Sequence, residues 1–297
     1  MFWENLRVEE FKDAIARSGG LCVLPIGCVE KHGQHLPVGT DAFIAESVVE
    51  EAAELADVVV FHLGPWLGEV SCFHSYDDPE AARVIGSIGI KQETLLRVLE
   101  EICDEIARNG FRKILLLNSH GGNVWMLDHF LRCQAYTNKG YSTMWAWAVD
   151  DDLTEPDRLL AEFEKRPEDF PMITPEDIAV LEGWTKTGYG GGHADFRETA
   201  LVMADRPELV APDRYEAEDG RYNDRADHIM QEGLRIQGWA YAQSPNYYNG
   251  LPPHGASQSI GQAMKKINVE RLVRIMNRVK ADEDCIRIAQ RLPKLGD

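Results

Sequence analysis

The sequence predicts an α/β fold in which helices cover a mainly parallel sheet on both faces. Short apolar runs bounded by glycine or polar residues, at positions 21–26 and 113–117, are typical of strands that are buried on both faces. Longer segments with helical periodicity alternate with these runs through the first half of the chain. This alternation is the pattern of a parallel sheet that lies between two layers of helices.

The individual elements follow in order along the chain. The segment after the first strand is rich in alanine and glutamate, and a later one carries leucine and isoleucine at helical spacing and ends at Gly110. We expect helices at residues 41–56, 91–109 and 269–289 and from about residue 124, and strands at residues 21–26, 58–63, 113–117 and 141–149.

Length and composition predict one large domain. A chain of 297 residues with 44% hydrophobic side chains can bury a full core. We expect residues 1–297 to form a single domain with acidic insertions around residues 150–188 and 205–250. Charge of this kind usually faces solvent, so we expect these insertions to be surface segments.

The net charge of −18 argues against nucleic acid and anionic membranes as partners. It does not exclude an anionic substrate, because bound metal ions dominate their local field. The six cysteines are scattered without CxxC pairs, which is typical of reduced thiols in the cytosol. No signal peptide or transmembrane stretch is recognisable, so we expect a cytoplasmic protein.

The most informative motif follows the first predicted strand. Residues 24–41 read LPIGCVEKHGQHLPVGTD and place Glu30, His32, His35 and Asp41 within one short segment. Carboxylate and imidazole together suit zinc, manganese or iron, and the two oxygens of one aspartate can bridge a pair of ions. Active sites of open α/β sheets lie at this end of the strands. The segment therefore suggests a centre with two metal ions.

Two further clusters repeat this arrangement. His120 lies in NSHGGN, directly after the predicted strand at 113–117, and His193 and Glu198 lie in GGGHADFRET, before an apolar segment. The glycines allow tight turns and close approach of the backbone to an ion or ligand. Three glycine-flanked clusters therefore offer imidazole and carboxylate to one site.

The strings GCVEKHGQHLPVGTD, NSHGGN and GGHADFRETALVMA resemble the three signatures of the creatininase family of metal-dependent amidohydrolases, in the family's order. The resemblance implies a three-layer α/β/α creatininase-like fold with a mainly parallel central sheet and two divalent ions (Zn, Mn or Fe) per chain. It also implies homohexamers built as trimers of dimers. The ligands it implies are Glu30, His32, Asp41 as the bridging carboxylate, His120 and Glu198.

The chain also departs from the family pattern. Creatinine-hydrolysing members carry a metal-binding glutamate where this chain has Gly122, so Glu198 must supply that carboxylate. The pattern is more similar to the branch with a formamidopyrimidine deformylase, the mycofactocin peptidase and a keto-inositol hydrolase. Asp195 and Phe196 stand where the family commonly has glycine and glutamate, and Cys28 replaces a small hydroxyl residue.

The resemblance implies roles for other residues near the metal ligands. His193 matches a histidine that contacts substrate and shuttles protons, work that suits an imidazole, and the alternative is a hydrogen bond that stabilises the loop. We expect His35 to have a structural role outside the ligand set. Candidates for substrate contact are His74, Trp184 and Tyr189, and the alternative for the aromatic pair is an ordinary surface loop with one packed ring.

These features predict a hydrolase. Paired ions lower the pKa of a bridging water and polarise the carbonyl group under attack. The expected reaction is hydrolysis of a small cyclic amide, a formamide or a related C–N bond, and peptide ends also stay open. Alternatives are hydrolytic ring opening of a cyclic ketone such as a keto-inositol, and a non-catalytic metal-binding scaffold. The presence of all five ligand positions argues against the non-catalytic scaffold.

Overall fold

The computed structural model describes residues 1–62, 65–70, 86–137, 139–187, 192–218, 227–231, 233–234 and 253–290. Its sheet has four parallel strands in the order β2-β1-β3-β4. The strands are β1 (Leu21–Ile26), β2 (Val59–Val60), β3 (Lys113–Asn118) and β4 (Ser142–Trp147). The four predicted strands are confirmed, although β2 is much shorter than the predicted segment at 58–63.

Helices make up most of the remaining described residues. They are α1 (Phe11–Arg17), α2 (Thr40–Ala56), α3 (Gln92–Arg108), α4 (Val124–Gln134), α5 (Asp151–Thr154), α6 (Pro156–Lys165), α7 (Pro175–Thr187), α8 (Phe196–Asp205), α9 (Asp227–Met230), α10 (Gln258–Ala281) and α11 (Asp284–Gln290). The predicted C-terminal helix starts at residue 258 and not at residue 269. Ser257 caps this end by accepting a hydrogen bond from the Ile260 amide. Within the described ranges, no helix has the length and hydrophobicity needed to cross a membrane.

The sheet separates two apolar clusters, as a three-layer α/β/α fold requires. Successive side chains of a strand point to opposite faces, so Leu21 and Val23 belong to one cluster and Cys22 and Leu24 to the other. Side chains of α2, α8 and α10 complete the first cluster, and side chains of α3 and α4 complete the second. The predicted fold class is therefore confirmed.

The acidic region at 150–188 is largely helical. It contains α5, α6 and α7, and α6 buries Leu159 and Phe163 in the cluster that also holds α2 and α8. Its charged side chains lie mostly outside, so the expectation of a solvated face applies to the charges but not to the whole segment. Most of the second acidic region, at 205–250, lies outside the described residues.

Helix α8 approaches α10 unusually closely at Gly261. A Cβ atom on this residue would lie 1.8 Å from the carbonyl oxygen of Ala200 and 2.6 Å from its carbonyl carbon. No side chain fits at such distances, so glycine allows the two backbones to touch. Because Ala200 lies two residues after Glu198, this contact also fixes the helix that carries a predicted metal ligand.

We predict that Gly261→Ala lowers the free energy of unfolding by roughly 1–3 kcal/mol or more, because the added methyl group overpacks the contact between α8 and α10. The matched control is Gly183→Ala in α7, where a Cβ atom meets nothing within 4 Å. That exchange should stabilise the protein by about 0.5–1 kcal/mol through helix propensity. Urea unfolding followed by circular dichroism measures both. A Gly261→Ala protein that unfolds at the wild-type midpoint would contradict the packing argument.

Candidate metal centre

The five predicted ligands meet at the carboxyl ends of β1 and β3. Glu30 and His32 lie in the loop after β1, and Asp41 lies in the first turn of α2. His120 follows β3, and Glu198 lies in the first turn of α8. The first four side chains are buried, and that of Glu198 is 15% exposed. The sequence thus identified a set of residues that the fold brings together in space.

Asp41 stands between two histidines, and each of its oxygens faces one of them. Its Oδ1 lies 3.6 Å from His32 Nε2, and its Oδ2 lies 3.2 Å from His120 Nδ1. Glu30 Oε1 lies 3.1 Å from His120 Nδ1, and Glu198 Oε2 lies 3.6 Å from His32 Nε2. The cluster therefore has two halves that share Asp41, one with Glu30 and His120 and the other with His32 and Glu198.

Both histidines are oriented by backbone carbonyl groups. His32 donates from Nδ1 to the carbonyl oxygen of Glu30 at 3.1 Å, and His120 donates from Nε2 to that of Glu69 at 2.8 Å. When each ring is neutral, its other nitrogen therefore has its lone pair directed into the cluster. Within the described part of the chain, His32 Nε2 is buried without a hydrogen-bond partner. Metal-ligating histidines commonly have this arrangement.

The charges of the cluster fit a cation. Burial lowers the pKa of His32, but the carboxylates of Asp41 and Glu198 outweigh this effect and raise it to about 10. Burial and the nearby Asp195 and Asp41 raise the pKa of Glu198 to about 8, although His32 opposes them. Such a buried group of carboxylates stabilises positive charge, whether a proton or a divalent ion carries it. Carboxylate and imidazole donors together fit zinc, manganese or iron.

Two asparagines hold the second motif in place, a role that the sequence analysis did not assign. Asn118 donates to the carbonyl oxygen of His120 at 2.7 Å. Asn123 donates to the carbonyl oxygen of Gly27 at 2.9 Å and accepts from the amide of Glu69 at 2.9 Å. These bonds join the ends of β1 and β3 to the segment that orients His120. Their only signal in the sequence is their position on either side of SHGG.

The structure also explains Gly122, the main departure from creatinine-hydrolysing members. A Cβ atom at this position would lie 2.5 Å from His120 Nε2 and 2.8 Å from the carbonyl oxygen of Glu69. These two atoms are the ones that form the hydrogen bond orienting His120. A glutamate at position 122 would therefore disturb this bond, and the carboxylate next to His32 comes from Glu198 instead.

Asp195, the second departure, caps helix α8. Its Oδ1 accepts from the amide of Glu198 at 2.9 Å, and its Oδ2 accepts from the amide of Gly192 at 2.9 Å. Ala194 has a left-handed backbone with φ of 59°, which is rare for a residue other than glycine. Its amide donates to Glu198 Oε2 at 2.6 Å, and its carbonyl oxygen accepts from His35 Nε2 at 3.1 Å. The turn thus directs the Glu198 carboxylate into the cluster.

His35 lies outside the groups that could hold an ion among the described residues. Its bond to Ala194 and its edge-on contact with the Tyr215 ring, at 5.4 Å between centroids, give it a place in the wall of the site. Burial lowers its pKa to about 4, although its bond to the Ala194 carbonyl opposes this. This geometry agrees with the expected structural role.

His193 reaches the cluster from the third motif. Its ring lies 4.1 Å from that of His32, between centroids, and its Nδ1 lies 3.5 Å from Glu30 Oε1. Its Nε2 donates to the carbonyl oxygen of Lys31 at 2.7 Å. Together with Glu30 and His32, it forms a third group that is compact enough to hold an ion. The structure therefore brings His193 to the candidate metal ligands.

A cavity of about 390 Å³ opens beside the cluster. His193 and Glu198 line it, together with Ile44, Ser119, Gly121, Trp147, Val149, Asp151, Glu155, Gly192, Arg197 and Leu201. Trp184 is not among the described lining residues. Its ring packs on that of Phe196, at 5.7 Å between centroids. His74 and Tyr189 lie outside the described residues. The substrate role of these three residues stays a prediction.

The model of the creatininase family, described as creatinine amidohydrolase, matches residues 4–276. The chain belongs to the creatininase family. A creatinine amidohydrolase from Pseudomonas putida is 25% identical over 222 residues, which are 72% of this chain and 75% of the relative. A mycofactocin precursor peptide peptidase from Mycobacterium tuberculosis is 35% identical over 107 residues, 35% of this chain and 42% of the relative. A 3-dehydro-scyllo-inosose hydrolase from Thermotoga maritima is 25% identical over 41% of this chain and 36% of its own. All three relatives are named as hydrolases, and this chain is a hydrolase of their family.

Solved creatininases share the fold. A creatinine amidohydrolase structure superposes with a TM-score of 0.67 at 19% identity, covering 95% of this chain and 98% of its own. A zinc form of a creatininase mutant has a TM-score of 0.66 at 20% identity, and a manganese form has 0.67 at 18%. These two cover 95% of this chain and 98% and 99% of their own chains. Relatives of this fold are thus zinc and manganese enzymes, and this chain has groups of residues that could hold such ions.

We predict that Asp41→Ala abolishes the binding of both ions, whereas Glu198→Ala weakens mainly one, because the cluster halves share Asp41 alone. Elemental analysis of protein loaded with zinc and then gel-filtered measures this. The control is Glu155→Ala, which removes a carboxylate from the cavity wall but not from the cluster. Equal loss of both ions in Asp41→Ala and Glu198→Ala would show that Asp41 is not the bridge.

Proposed function

We propose that this protein is a hydrolase that uses a pair of divalent ions to cleave a C–N bond of a small cyclic amide, a formamide or a related substrate. The observation that carries the proposal is the position of Asp41, whose two oxygens face different histidines. A carboxylate whose two oxygens face separate groups of ligands can bind one ion through each oxygen. The fold of the family and its named hydrolases support the same conclusion.

In this proposal, Glu30, Asp41 and His120 hold one ion, and His32, Asp41 and Glu198 hold the other. Bound divalent ions make a water molecule more acidic near neutral pH and polarise the carbonyl group under attack. With Asp41 shared, these five residues give each ion three protein ligands, which leaves coordination positions for water, substrate or a further side chain. Zinc and manganese are the candidate ions, because solved relatives carry them and the ligand types suit them.

His193 is the proposed acid and base. Its Nε2 donates to the carbonyl oxygen of Lys31, so in the neutral ring Nδ1 carries the lone pair. Burial and the nearby His32 lower the pKa of His193, although Glu30 and other neighbours oppose them, and this favours the neutral ring. The neutral ring can accept a proton from the attacking water and deliver it to the leaving nitrogen. The imidazole lines the cavity, where the oxygen of the attacking water and the leaving nitrogen would both lie.

The cavity fits a small substrate with polar and apolar parts. Its volume of about 390 Å³ lies in the range typical of small-molecule sites. Trp147 and Leu201 offer apolar surface, and Arg197 offers hydrogen-bond donors. The Ser119 hydroxyl donates its proton to the carbonyl oxygen of Asp41, so it can act only as an acceptor toward substrate. The guanidinium group of Arg197 is held by Asp151 at 2.7 Å, so it is fixed against the wall near Glu198. A planar amide or ring could lie between these groups.

Ring opening of a cyclic ketone is the second candidate. One relative is named as an inosose hydrolase, and the glycine at position 122 departs from the creatinine-hydrolysing pattern. Ions held by the same ligands would polarise a ring carbonyl group. His193 would then protonate a carbon atom in place of nitrogen. Substrate tests separate the two reactions, because the ligand set serves both.

We predict that the zinc- or manganese-loaded protein hydrolyses at least one member of a panel of cyclic amides, formamides and short peptides. His193→Ala should keep its fold and its full metal content but lose roughly 10²–10⁴-fold in kcat, the usual effect of removing a positioned acid or base. The control is His129→Ala, on the outside of α4, which should act like wild type. Added imidazole should restore part of the activity of His193→Ala.

Four results would contradict this proposal. Loss of a metal ion in His193→Ala would make His193 a ligand, and near-normal turnover would remove its proposed role. Turnover of cyclic ketones alone would favour ring opening over C–N cleavage. Full metal loading without turnover of any amide, peptide or ketone would favour the non-catalytic metal-binding scaffold.

A further inference from the structure

One buried thiol lies among the candidate ligands without a role in the mechanism. Cys28 follows β1, is fully buried and lies two residues before Glu30. Its Sγ lies 2.9 Å from Asp41 Oδ2, the same oxygen that faces His120 Nδ1. Cys28, Glu30, Asp41 and His120 form one compact group, in which each offers a ligand atom within 4.8 Å of the others. A fourth donor therefore stands on one side of Asp41.

The two halves of the cluster differ in this respect. The half with His32 and Glu198 has no thiol among the described residues, and Glu198 lines the cavity. Cys28 is not one of the described residues that line the cavity, so the thiol lies away from the space for substrate. This position argues against a role as a nucleophile.

The backbone around Cys28 limits where its side chain can point. A Cβ atom on Gly68 would lie 2.3 Å from the Cβ of Cys28 and 2.4 Å from the carbonyl oxygen of Gly27. The segment at Gly68 therefore packs directly on Cys28, and Sγ is held on the side of Asp41. A side chain that is fixed in this way loses little freedom when it binds an ion.

We propose that Cys28 is a fourth protein ligand of the ion held by Glu30, Asp41 and His120, and that it binds through Sγ as a thiolate. This inference rests on the proposed function, since it needs the metal pair. The thiol proton leaves to solvent when the ion binds, as with other cysteine ligands. A thiolate favours softer ions, so this half of the centre should prefer zinc, cobalt or cadmium to manganese.

Cobalt substitution tests the proposal. Protein loaded with Co²⁺ should show a sulfur-to-cobalt charge-transfer absorption in the near ultraviolet. We expect Cys28→Ser, which restores the hydroxyl common in the family, to lose this absorption. Controls are Cys133→Ser, at an exposed position, and Cys72→Ser, outside the described residues, and both should keep it. X-ray absorption at the zinc edge of the wild type should show one sulfur for every two zinc ions, at a distance of about 2.3 Å, without need of a variant.

The outcomes separate this inference from the proposed function. Bound cobalt and zinc without a sulfur signal would overturn the inference alone and make Cys28 a neutral thiol that donates to Asp41. A sulfur signal that survives in Cys28→Ser, or that disappears in Cys72→Ser, would assign it to another cysteine. A wild-type protein that binds no divalent ion would overturn both the inference and the proposed function.

Discussion

The arrangement of the site depends on the buried carboxylate of Asp41. Its two oxygens face His32 and His120, so it joins two groups of candidate ligands, each of which includes one residue of the loop after β1. A buried carboxylate is unfavourable unless positive charge and hydrogen bonds compensate it. The backbone carbonyl of the same residue accepts from Ser119 Oγ at 2.7 Å, which ties α2 to the end of β3. Asp41 thus supplies the negative charge of the site, and its own backbone carbonyl group helps to fix its position.

The fold supplies this position because parallel strands end at one edge of the sheet. The loops after β1 and β3 carry three of the candidate ligands, and the first turns of α2 and α8 carry the two others. A helix N-terminus favours negative charge, which suits Asp41 and Glu198. The contact between Gly261 and Ala200 fixes α8, and the Asp195 cap fixes its first turn. The candidate metal centre therefore depends on packing well outside it.

Much of this could be predicted from the sequence, because its signals are local. The apolar runs predict the strands, and the three motifs predict the side chains that the fold brings together at the candidate centre. The rest depends on contacts between distant segments. The need for glycine at position 122 comes from the carbonyl group of Glu69, and the left-handed Ala194 depends on His35, far away in the chain. The charges of the acidic segment at 150–188 predict a surface position for the whole segment. The few side chains that its helices bury, such as Phe163, give no comparable signal in the sequence.

The most direct test of the paired centre is anomalous X-ray scattering from crystals of zinc-loaded protein, recorded on both sides of the zinc absorption edge. Our account predicts two peaks about 3.5–4 Å apart, the usual separation in two-metal sites. They should lie on opposite sides of Asp41, one next to Glu30 and His120 and the other next to His32 and Glu198. A single peak, or a pair of peaks that Asp41 does not join, would contradict it.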